Sequence, residues 1–216
     1  MAAKPEPEAH IATRDARRLS TLLEVSQALS GTLNLKAAMT RVLAILIRHH
    51  GVVHGMVTLQ REGELAVEAT EGFDDRARVV RYKMGEGITG QVVQSGKPIV
   101  VPRMSKEPSF LNRMPRRGDM QRQELSFICV PITLQRQAVG ALGLDLKFKA
   151  ERDYDSSVKF FGIVSGMIGQ ALNVQRQLEE ERRRLLDENT HLRQELRERY
   201  DFSNIIGTSG PTRQMY

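Results

Sequence analysis

From Leu19 onward, Leu22, Leu23, Ser26 and Leu29 recur at steps of three and four, which predicts one amphipathic helix ending near Gly31. Asn34 can cap a second helix, on which Leu35, Met39, Val42, Leu43 and Leu46 share a face and which Gly51 stops near His50. The period then falls to two. Residues 53–59 and 65–69, where Leu65, Val67 and Ala69 alternate with Ala66 and Glu68, flank Arg61-Glu62-Gly63 and predict a β-hairpin. A basic extended piece follows to Met84, and Gly85-Glu86-Gly87 opens a short helix, Ile88 to Gln94, closed by Ser95-Gly96. Pro98 to Val101 is extended again, and a loop spans Pro102 to about Glu124. Two strands, Leu125 to Ile132 and Ala138 to Phe148, meet at the polar turn Gln135 to Gln137.

At Tyr154 the helical period returns and persists. Positions 161, 164, 168, 171, 175, 178, 182, 185, 189, 192 and 196 read Phe, Val, Ile, Ala, Gln, Leu, Arg, Leu, Asn, Leu, Leu, a heptad seam. A helix from Tyr154 to Arg199 has about 46 residues and spans roughly 69 Å at 1.5 Å per residue. Left alone, its second half keeps aligned leucines in water. At about 1.5–3 kcal/mol for each large side chain buried, a parallel two-stranded dimer is favoured, with Leu178, Leu185 and Leu192 as its stripe and Asn189 fixing register. Residues 1–16 carry no periodicity and are expected to be a flexible lead-in.

Composition narrows the class. A chain of 216 residues with 40% hydrophobic and 27% charged positions makes one ordinary globular domain with extensions and excludes wholesale disorder. No apolar run approaches a membrane span and the N-terminus lacks the form of a signal peptide, so a cytoplasmic chain is expected, with no membrane partner. A single cysteine, Cys129, permits no intrachain disulfide and cannot alone hold a thiolate zinc site or an iron–sulfur cluster; on its strand it reads as buried and inert. His49, His50 and His54 straddle a helix end and a strand start without acids at ligand spacing, so they read as solvated or capping residues, and no metal is expected.

The net charge of +6 invites a nucleic-acid reading, but its placement argues otherwise. From Arg76 to Arg122 eleven Lys or Arg face three acids, whereas from Arg176 to Arg199 seven arginines balance seven acids. No helix-turn-helix pair or interleaved aromatics accompany the excess, which is expected to serve a small anion or an acidic partner and not DNA.

In this order, Gly85-Glu86-Gly87-Ile88-Thr89-Gly90-Gln91-Val92, Ser95-Gly96-Lys97-Pro98, Val130-Pro131-Ile132 and Val139-Gly140-Ala141-Leu142 resemble the GAF family of small-molecule sensing domains over roughly residues 20–172. Pro108 to Arg113, Ser126 to Ile132 and Phe202 to Pro211 are similar, more narrowly, to the NifA family of Nif-specific regulatory proteins. The resemblance implies an α+β fold, a GAF-type antiparallel sheet flanked by helices and followed by a long C-terminal coiled-coil helix. The expected division is 1–16 lead-in, 17–172 sensory domain, 173–200 coiled-coil linker and 201–216 the start of a sigma-54 interaction and ATPase domain. It further implies a regulatory module of a sigma-54-dependent activator of nitrogen-fixation genes, informed by 2-oxoglutarate or a PII-type signalling protein. DNA and sigma-54 RNA polymerase would be met only through domains outside this chain.

No catalytic residue is expected. The phosphate-binding Gly-x-x-x-x-Gly-Lys-Ser/Thr loop of an ATPase is missing, and the methionine sulfoxide reduction of some GAF proteins needs several cysteines. A cyclic-nucleotide or non-haem-iron nitric-oxide sensor is the alternative class. Arg81, Lys83 and Arg103 are candidates to pair with a dicarboxylate or phosphate. Gly87, at a turn that serves either as structure or as an anion cradle, joins Thr89, Phe127 and Cys129 in the expected ligand-binding set. Met56, Thr58, Phe73, Ile88, Val92, Val100, Phe127, Cys129 and Leu142 are expected in the interior or pocket.

Overall fold

A computed structural model describes residues 7–32, 34–108 and 124–206, with side chains described from 12 to 198 except at Asp75. The expected Phe110 to Arg113 segment, the arginines at 113, 116, 117 and 122, and residues 207–216 lie outside the described residues. Ten elements build the chain: α1 (Pro7–Leu29), α2 (Leu35–His50), β1 (Val52–Arg61), β2 (Glu64–Glu71), β3 (Arg81–Lys83), α3 (Gly87–Ser95), β4 (Ile99–Val101), β5 (Leu125–Leu134), β6 (Gln137–Lys147) and α4 (Tyr154–Ile206). Short 3-10 turns, Asp75–Val79 and Met104–Lys106, lie between β2 and β3 and between β4 and β5. The helix α1 begins at Pro7, so it extends back through most of the stretch read as a lead-in.

Local chemistry sets the boundaries. Asn34 Oδ1 accepts from the Ala37 N–H at 3.0 Å and caps α2, while Gly51 ends it in the left-handed conformation, φ 64°. Glu62 and Gly63 both have positive φ, as do Gln135 and Arg136, so the hairpins β1–β2 and β5–β6 close on two-residue turns whose twist suits the strands. The six strands form one antiparallel sheet in the order β3-β2-β1-β6-β5-β4.

Both sheet faces are apolar. Val57, Leu59, Ile128, Val130, Ile132, Leu142, Leu144 and Leu146 pack with Leu43 and Leu46 of α2 and Phe160, Phe161, Val164 and Ile168 of α4. Met56, Leu65, Val67, Phe127, Cys129 and Ala141 form a second cluster with Ile88, Val92 and Val93 of α3. The expected interior set is buried or partly buried as read, although Leu142 and Val100 join the first cluster, on the helical face, and not the α3 side. The chain divides into two compact units, Met1–Asn173 and Val174–Tyr216, and α4 contributes to both.

At the end of α2, the His50 ring lies 4.4 Å from Phe160 and its Nε2 is 3.0 Å from Thr21 Oγ1. A helix C-terminus favours imidazolium, yet burial first, and then Arg18, His49 and Arg17, hold its pKa down at about 4. Since the folded value lies below the ordinary 6.5, the unfolded chain binds the extra proton between pH 6.5 and about 4. Stability from this group is therefore complete above 6.5 and lost as pH falls through that window. Thermal melts should show the wild-type Tm dropping further than that of His50→Gln between neutral pH and about pH 4; parallel curves would show that the ring titrates normally.

Candidate functional site

The pairing register assembles the α3 face in rows. His54, Asp145 and Phe127 stand side by side across β1, β6 and β5, and Met56, Gly143 and Cys129 form the next row. A Cβ at Gly143 would lie 2.7 Å from Met56 Cε and 3.0 Å from Phe127 Cζ, so those two side chains converge over the glycine. Only a residue without a side chain leaves room for both.

Within this apolar surface lies a polar pair. His54 Nδ1 is 3.0 Å from Asp145 Oδ2, and the two residues are 4% and 0% exposed. Phe73 stacks on the His54 ring at 4.7 Å with an interplanar angle of 22°. Thr58, Thr70 and Thr89 are also buried, and the Thr58 hydroxyl donates to the Ala141 carbonyl at 3.3 Å. Polar groups withdrawn from water are tolerated when paired, and such groups fix the orientation of a small polar ligand in an otherwise greasy site.

The β3–α3 turn is held by its own residues. Glu86 accepts from the Lys83 N–H through Oε2 at 2.8 Å, and its N–H donates to the Lys83 carbonyl at 3.1 Å. Gly87 begins α3 with φ 58°, and a Cβ at Gly90 would lie 2.5 Å from the Lys83 carbonyl, so the helix sits tightly on the turn. Thr89 is buried on that helix.

The expected ligand-binding residues divide into two groups. Phe127 and Cys129 lie in the α3-side cluster, with Thr89 buried on the helix that covers it. Arg81 and Lys83 are exposed on either side of buried Tyr82, which belongs to that same cluster, so strand alternation turns both cations to its other side. The Arg81 guanidinium donates to the carbonyls of Arg78 and Val80 at 3.2 and 3.1 Å. Arg103, beyond β4 at the other sheet edge, lies over the Phe148 ring at 4.5 Å. The structure thus does not bring the three cations together.

The histidines correct the reading from sequence. His54 is buried and paired, His50 is half-buried against Phe160, and His49 Nε2 is 3.1 Å from Glu24 Oε1. Sequence reasoning missed His54–Asp145 because the partners are 91 residues apart. Its visible trace is an isolated acid, Asp145, between Leu144 and Leu146 in an otherwise apolar strand. Removing that acid leaves His54 buried without its carboxylate, so Asp145→Ala should cost about 3 kcal/mol in urea denaturation. A loss below about 0.5 kcal/mol would contradict the buried pair.

The GAF domain family matches residues 34–172. The Nitrogen fixation protein VnfA of Azotobacter vinelandii is 36% identical over 208 residues, 92% of this chain and 39% of that protein. A Nif-specific regulatory protein of Herbaspirillum seropedicae is 31% identical over 201 residues, 92% of this chain and 37% of its own length. The chain thus spans about two fifths of the length of these relatives. Among solved structures, the crystal structure of the A. aeolicus nlh2 GAF domain in an inactive state superposes with a TM-score of 0.68 at 21% identity, covering 75% of this chain and 99% of that one.

Proposed function

The chain belongs to the GAF domain family, and from that membership we propose that it is the sensory module of a sigma-54-dependent activator of nitrogen-fixation genes, controlling an attached ATPase. The observation that carries this reading is the extent of the likeness: the match to Nif- and Vnf-type proteins covers 92% of the chain, well beyond the GAF segment. Homologues of this kind support a regulatory role, and no catalytic residue is assigned.

The α3 side of the sheet receives the signal, with Thr89, Phe127 and Cys129 as the ligand's contacts and Gly87 beside them. A small metabolite such as 2-oxoglutarate enters there, or a PII-type protein docks over it. No helix among the described residues is long and apolar enough to cross a membrane. Contact with DNA and sigma-54 RNA polymerase belongs to other domains of such activators. Calorimetric titration of the chain with 2-oxoglutarate, glutamine, cyclic nucleotides and a PII protein tests the reading. One saturable nitrogen or carbon signal is expected, weakened about tenfold by Thr89→Val, which removes one hydroxyl at nearly constant volume. Binding of a cyclic nucleotide alone would select the alternative class of sensor.

The output is a homodimer joined in parallel through the second part of α4. Leu178, Leu185 and Leu192 are 63%, 53% and 51% exposed, a stripe at heptad spacing with Asn189 in the alternate seam. Two neighbouring arginines pair within the helix, Arg176 with Glu180 at 2.8 Å and Arg184 with Glu181 at 2.7 Å, whereas Arg182 lies in the alternate seam with Asn189. Sedimentation equilibrium of this chain beside one ending at Val174 should show association only in the longer form. Equal association constants would remove the helix from the dimer.

A further inference from the structure

On the helical face of the sheet, opposite α3, α1, the end of α2 and the first turns of α4 enclose a cleft of about 200 Å³. Arg14, Arg18 and Arg152 line it together with His50, Asp153 and Phe160. Three guanidinium groups thus face one carboxylate.

That carboxylate is already engaged. Asp153 Oδ1 accepts from the Ser156 N–H at 3.0 Å at the start of α4, and its Oδ2 lies 3.8 Å from Arg14 Nη1, beyond hydrogen-bonding distance. Arg18 donates to Ser156 Oγ at 2.7 Å and lies over the Phe160 ring at 5.4 Å, which fixes its plane. Arg152 donates from Nη2 to the Lys147 carbonyl at 3.0 Å, while its Nε is buried and has no hydrogen-bond partner. A buried, charged donor without an acceptor is costly, and Arg152 carries it in the wall of the cleft.

We propose that this cleft binds a compact, doubly charged oxyanion of the phosphate type. Guanidinium forks match tetrahedral oxyanions in geometry and charge. The ligand would join α1 to α4 by bridging Arg14 and Arg18 to Arg152, and α4 is the helix that carries the leucine stripe.

Inorganic phosphate is the probe. The full chain is titrated by calorimetry at fixed ionic strength, with chloride as the matched control, so that non-specific screening cancels. Saturable binding of phosphate at one site per chain is expected, weakened at least tenfold by Arg152→Met and by Arg14→Gln, with Arg176→Gln on the second part of α4 unchanged. Arg14 is 48% exposed at its side chain, so that variant reads the site even where Arg152→Met loosens the turn before α4. A phosphate titration indistinguishable from chloride, or wild-type affinity in both variants, would overturn the proposal.

Discussion

Covering a sheet that is apolar on both faces organises the molecule. Antiparallel sheets commonly leave one face to water and then alternate apolar with polar residues. Here β5 and β6 read Ser-Phe-Ile-Cys-Val and Ala-Leu-Gly-Leu-Asp-Leu, with successive residues buried on opposite sides. Two covers are needed, and they come from distant parts of the chain: α2 and α4 over one face, α3 over the other. Their seats are close. Ser165 on α4 donates to the Pro131 carbonyl at 2.6 Å, and Gly169, one turn on, lies against Thr133 where a Cβ would be 2.4 Å from its carbonyl oxygen. These contacts seat the first part of α4 on β5.

The elements were legible because each obeys a local rule. Period 3.6 with an Asn cap and a Gly stop defines α2, and period two around Glu62-Gly63 defines the first hairpin. The α3 turn was visible in its glycines, and Phe127 and Cys129 were rightly expected to be buried. What could not be read was register. Whether Arg81 and Lys83 face a pocket depends on which side Tyr82 takes, and that is decided by packing in the α3-side cluster, whose members run from Met56 to Ala141. The His54–Asp145 contact likewise arises only once β1 lies beside β6. A cluster of three histidines within six residues draws attention to sequence neighbours, whereas the fold sends each ring to a different partner: Glu24, Thr21 and Asp145.

That contact also separates the two faces in character. The helical face is closed by large aliphatic and aromatic side chains, with the buried hydroxyls of Thr21, Ser126 and Ser165 among them and His50 at its margin. The α3 face holds a carboxylate, an imidazole and three threonine hydroxyls at depth. Withdrawing such groups from water lowers stability relative to apolar residues of similar volume unless every one is satisfied. A face used for packing alone gains nothing from them. A face that must recognise a polar molecule does, which is why the sensory reading is assigned to this side, while the proposed anion cleft occupies the margin of the other.

The seam of α4 carries the last step. In its first part the alternate positions are Phe161 and Ile168, buried against the sheet; in its second part they become Gln175, Arg182 and Asn189. The other set stays apolar throughout, from Val164 to Leu178, Leu185 and Leu192. Where the sheet ends as a partner, half of the seam turns polar and half does not. An all-apolar seam would bind a second copy tightly in any register, and an all-polar one would not bind. On the proposed dimer, the mixed seam gives one stripe for attraction and one for register, and the Arg182 stem can pack while its charge remains in water. Its first part is held on the sheet by the same residues that close the helical face, so on the proposed reading a ligand on that face would act on the helix that carries the seam.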